Sequence, residues 1–206
     1  MEKSKLTVVS SPHLHCGMDT PNIMLDVIIA LMPAAAASVW LFGWRAAAVI
    51  AVSVGSCVAA EFLSRLVMKR PQTVGDLSAV VTGLLLAFNL PATIPLWQAA
   101  LGGVAAIVVA KQMFGGLGQN FVNPALVGRI VLMGSFPGEM NNWVTPLPWQ
   151  GADAISSATP LALMAGGGDL SAVSPSQLFF GLRGGCLGET CVFALLLGGV
   201  YLIIRR

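Results

Sequence analysis

Charge is what this sequence has least of. Only 10% of its 206 residues are Asp, Glu, Lys or Arg, against about 25% in soluble domains. Eleven basic residues, dispersed along the chain, and a net charge of +2 leave no cationic stripe for nucleic acid. Histidine occurs twice, as His13 and His15, and Cys16 follows them. Three potential ligands within four residues lack a fourth partner, so this cluster reads as an ordered segment rather than a metal site. The four cysteines make no disulfide framework in a chain mostly in lipid, and they match no complete iron–sulfur spacing. Cys186 and Cys191 stand on an expected helix, pointing roughly 140° apart. No P-loop ending is present, no strand–turn–helix context for a dinucleotide fingerprint, and no repeat of 20–50 residues. A signal peptide is not apparent, because the first apolar run is too long for an h-region, and it reads as a retained span.

What the chain has instead is apolar length. The apolar fraction is 56% and the mean hydropathy +0.81. Ile23–Phe42 and Ala46–Val67 are runs long enough to cross a core of about 30 Å at about 1.5 Å per residue. Leu187–Ile204 is a third. Leu77–Leu90, Trp97–Ala110 and Pro124–Phe136 are shorter and are bounded by Pro91, Pro95, the Gly115–Gly118 turn and Pro124. Lipid cannot satisfy broken backbone, so such breaks must face protein or a polar cavity. Trp40, Trp44, Trp97, Trp143 and Trp149 lie near span ends or in the long loop, as interfacial tryptophans do. Ala34–Ala37 suits close helix packing.

Orientation follows from Lys and Arg. With a cytoplasmic N-terminus and six crossings, Lys3, Lys5, Arg65, Lys69, Arg70, Lys111, Arg205 and Arg206 fall on or near the inside. Only Arg45 and Arg183 fall outside, and Arg129 lies within a segment. The expected organisation is a cytoplasmic segment over 1–22, transmembrane helices with broken segments over 23–136, an extracytoplasmic loop over 137–181 and a last transmembrane helix over 182–206. Charges inside spans are expensive, at least about 2.5–3.5 kcal/mol each at a helix centre. Asp26, Glu61, Asp76, Arg129 and Glu189 form this set. Asp26, Glu61 and Asp76 are placed to snorkel at cytoplasmic ends, Arg129 is deep enough to pair with a carboxylate or a ring oxygen, and structural pairing is favoured over an ion path for each.

Two polar stretches carry the chemistry. Lys111–Arg129 contains Gly115-Gly116-Leu117-Gly118, then Asn120, Asn123 and Pro124. Its physical reading is a tight turn running into a half-helix, with Asn123 as N-cap and Pro124 at the first helical position. Asp153–Thr159 ends in Ser156-Ser157-Ala158-Thr159. A threonine hydroxyl is a poor nucleophile without an adjacent base, and no histidine or lysine lies near Thr159.

Together these stretches resemble the RnfD/NqrB family, membrane subunits of the ion-pumping Rnf and Nqr electron-transport complexes, and the short N-terminus looks more like the RnfD type. The resemblance covers nearly all of this chain but only the N-terminal part of the family pattern, so a chain shorter than its family is expected. It implies an all-α, polytopic transmembrane fold with short broken helices, similar to the urea-transporter-like fold. It also implies FMN joined through a phosphoester to Thr159, placed there by a separate flavin transferase. Ser157 departs from the family, where glycine is frequent. Riboflavin, held non-covalently, is the second cofactor implied, with Asn120 and Asn123 as candidate contacts. The expected function is a flavoprotein subunit of a ferredoxin:NAD-type redox-driven ion pump in a bacterial or archaeal cytoplasmic membrane. Its expected partners are other Rnf-type subunits and lipid. A channel or solute transporter of the same architecture, without a redox role, is the alternative.

Overall fold

The computed structural model describes residues 19–144, 146, 164 and 174–205. Helices dominate the described residues, and no strand ladder occurs among them. Among the described residues two helices are long and apolar enough to cross a membrane: α1, Thr20–Phe42, and α2, Trp44–Val67. Gly43, with a φ of 74°, makes the reversal between them in a single residue. The end where α1 begins and α2 finishes is called the near end, the opposite one the far end. Chain direction then alternates. Helix α3, Ser78–Phe88, leaves the near end, and α4, Leu96–Ala105, returns to it through a π-helical segment, Ala106–Gln112. Helix α5, Pro124–Ser135, leaves again, followed by the short α6, Pro137–Met140, and α7, Pro175–Phe180. Helix α8, Val192–Arg205, comes back along α1. There Asp26 accepts from Tyr201 at 3.0 Å and pairs with Arg205 at 3.1 Å.

The expectation of short middle segments is met. At about 1.5 Å per residue, an 11-residue α3 covers only about half of a hydrocarbon core. Its last carbonyls would be unsatisfied at that depth. The turn between α7 and α8 supplies the donors: Leu187 N–H reaches the Leu90 carbonyl at 3.1 Å, and Gly188 N–H the Phe88 carbonyl at 3.0 Å. Hence the apolar run from Leu187 is not helical from its start. Residues 187–191 are spent on this docking, and helix α8 begins at Val192. Cys186 and Cys191 both precede it, so they do not share a helix.

Helix α2 is the hub, packing on α3, α4 and the π segment. Small residues set that contact. A Cβ at Gly83 would overlap the Val54 backbone, and one at Gly103 would overlap Ser56. Removing side chains there lets backbones approach closely, as membrane helices require. The core runs through Leu41, Val49, Leu86, Leu90, Ile94 and Leu132, all buried. Outward faces carry Ile130, Ile203 and Ile204, each more than two-thirds exposed. Trp40, Trp44 and Trp97 are exposed together at the far end, in keeping with an interfacial belt.

Candidate functional site

The near end gathers the buried polar chemistry of the described residues. Glu61 and Arg65 stand one turn apart on α2 and so share a face. Both are buried. The chain then folds back, and Thr73 donates to Glu61 Oε1 at 2.8 Å. Asp76 Oδ1 accepts from the Ser78 amide at 2.8 Å, where α3 begins. From the other side come Lys111 and Gln112. Lys111 Nζ lies 2.9 Å from each oxygen of Glu61 and also donates to Ser78 Oγ. Gln112 Nε2 donates to Glu61 Oε1 at 3.1 Å.

The π segment explains how two consecutive side chains point inward. A wider turn shortens the angular step between neighbours, so Lys111 and Gln112 are both buried, 1% and 0% exposed. A carboxylate this deep needs a counter-charge and full hydrogen bonding, and Glu61 has both. Its environment corrects the expectation that it snorkels at a span end. The helix also runs two residues past Ala110, where the apolar run stops, so Lys111 is an interior cation and not a loop charge. The clue in the sequence was a Lys-Gln pair directly after an apolar run, which charge counting assigned to the water.

Beyond Gln112 the chain turns through Gly115, Gly116 and Gly118, all at positive φ. Gly116 lies against the tip of the Arg65 guanidinium, and its φ of 109° favours glycine there. Asn123 caps α5 as expected, its side chain accepting from the Ala125 amide at 3.0 Å, with Pro124 at the first helical position. Asn120 stands at the same turn, and its Oδ1 is buried without a hydrogen-bond partner among the described residues. The structure therefore brings Asn120 to the polar near end and gives Asn123 a capping task. Thr159 lies outside the described residues, as do His13, His15 and Cys16.

A second polar group sits where α3 ends, within the helical bundle. Arg129 Nη1 donates to Asn89 Oδ1 at 2.7 Å, so this deep cation is met by an amide. Cys186 is buried in the turn before α8. Glu189 is exposed, and its carbonyl accepts from Arg183. Among the described residues no group of three metal-ligating side chains occurs.

Comparison with known proteins adds the family. The model of the NQR2, RnfD, RnfE family matches residues 7–206. One relative belongs to the sodium-translocating ferredoxin:NAD oxidoreductase complex of Acetobacterium woodii. It is 49% identical over 208 residues, spanning 100% of this chain and 64% of that protein. Its counterpart in the proton-translocating complex of Clostridium ljungdahlii is 40% identical over 214 residues, again 100% and 64%. The corresponding protein of an ion-translocating oxidoreductase complex in Halorhodospira halophila is 35% identical over 229 residues, 97% and 64%. The chain thus spans a little under two-thirds of the length of these curated relatives.

Proposed function

Because this chain belongs to the NQR2, RnfD, RnfE family, we propose that it is a membrane flavoprotein subunit of a redox-driven ion pump of the ferredoxin:NAD oxidoreductase type. It serves as one part of a translocase and is not catalytic alone. The observation that carries this reading is identity of 49% across the whole chain to a component of a complex with that activity. Other subunits of the complex and membrane lipid are its partners. The setting is a bacterial or archaeal cytoplasmic membrane, with the near end facing the cytoplasm and the 137–181 loop outside.

Two flavins belong to the proposal. FMN is carried by Thr159 through a phosphoester made by a flavin transferase, since no histidine or lysine near Thr159 in the sequence would activate its hydroxyl. Riboflavin binds at the near end. The residues there fit such a ring: Asn120 Oδ1 is buried and unpaired, and it would accept from a ring N–H. Asn123 contributes by fixing the start of α5, its own oxygen being committed to the cap. A bound flavin supplies one- and two-electron redox chemistry. The residues of this chain hold it in place, keep water out and anchor the turn through the Glu61–Lys111 pair.

The test is covalent flavin. Thr159→Ala leaves no oxygen to esterify, so in-gel fluorescence under denaturing conditions disappears from this band when the transferase is co-expressed. Undiminished fluorescence in the variant removes Thr159 from the proposal. Visible flavin absorption of the purified wild type separates the redox reading from a solute channel.

A further inference from the structure

The Glu61–Lys111 cluster leaves one cation unused. Arg65 is 7% exposed, and its Nε has no hydrogen-bond partner among the described residues. The two ion pairs among the described residues are Lys111–Glu61 and Arg205–Asp26, so no described carboxylate pairs with Arg65. Arg65 cannot shed its charge by losing a proton, and an unmatched buried cation is costly. Its neighbours are equally unfinished. Six buried side-chain polar atoms lack partners among the described residues, and three of them, on Arg65, Gln112 and Asn120, belong to this one end. The Gly115–Gly118 turn joins them: Gly116 packs under Arg65, the Gln119 amide bonds the Gly116 carbonyl at 3.2 Å, and Asn120 follows.

The chemistry of the three atoms narrows the ligand. Arg65 offers a donor, whereas Gln112 Oε1 and Asn120 Oδ1 offer acceptors. A free anion such as phosphate would face two repelling oxygens. A neutral ring imide, with an N–H between two carbonyls, meets both kinds of group.

We propose that Arg65 is a specificity-determining residue of the non-covalent flavin site, donating to a carbonyl of the ring imide while Asn120 accepts the imide N–H. This rests on the flavin reading given above. Glu61 and Lys111 neutralise each other beside it, so Arg65 is the net positive charge of the site.

The experiment uses the whole complex, purified from membranes. Acid precipitation leaves covalent flavin in the pellet, and the supernatant flavin is quantified per complex. Arg65→Met keeps the apolar stem and removes the cation. It lowers extractable flavin about tenfold or more, as expected for loss of a buried charge-assisted hydrogen bond, with subunit composition and covalent flavin unchanged. Arg65→Lys keeps the charge but not the planar fork, so it retains part of the flavin and shifts its visible absorption maximum. Full flavin content with an unchanged spectrum in Arg65→Met means that only water pairs with Arg65, and overturns the proposal. If Arg65→Met does not assemble, Arg65→Lys decides, and unchanged content and spectrum there overturn it too. A wild-type complex without extractable flavin overturns the flavin reading itself, and the role of Arg65 with it.

Discussion

At the scale of single residues, the Glu61–Lys111 pair dominates. Both groups are within 1% of complete burial, so neither can be relieved by water. Removing one partner strands the other, which costs about 3–5 kcal/mol, while removing both can be close to neutral. Lys111→Met is therefore expected to lower the Tm and yield of the purified complex sharply. The double variant Glu61→Gln, Lys111→Met is expected to recover most of the loss. Additive losses, measured by thermal melting in detergent, would contradict this account. The pair itself was only half legible in the sequence. Glu61 stood out as a charge within a span, and structural pairing was favoured for it. Lys111 did not, because the rule that places basic residues in water takes no account of a π turn carrying it inward.

At the scale of elements, short helices work because something else completes them. Helix α5 starts where Asn-Pro says it should, since a cap acts on its own next residues. The end of α3 is different. Its carbonyls are met by Leu187 and Gly188, about a hundred residues along the chain. Gly188 permits this because a Cβ there would collide with the Phe88 side chain. Gly188→Ala is expected to push the turn off α3 and destabilise the fold by about 1–3 kcal/mol. A Tm unchanged from wild type in the assembled complex would show that the close approach is not needed.

At the scale of the whole molecule, alternation of six helices puts Lys69 and Arg70 at the near end and Arg45 with the exposed tryptophans at the far end. The charge bias predicts a cytoplasmic near end. Two single-cysteine probes read it, Lys69→Cys and Asn142→Cys, both exposed positions, each in a chain whose four native cysteines are replaced by serine. A membrane-impermeant maleimide should label Asn142→Cys in intact cells and Lys69→Cys only after permeabilisation. The reverse pattern would invert the topology.

By itself the sequence determined that this is an all-helical membrane chain, where its first two long spans lie, that its middle segments are short, and where α5 begins. All of these depend on hydropathy and on capping within a few residues of the chain. Its Asn/Gly and Ser-Ser-Ala-Thr stretches also pointed to the family that the comparisons then established. Tertiary structure decided which polar groups meet. Glu61 and Lys111 are 50 residues apart, Asn89 and Arg129 are 40, and the donors that finish α3 lie in what looked like the start of another span. Such partners are chosen by how helices cross and by the need to satisfy every buried charge and carbonyl, which no local pattern encodes.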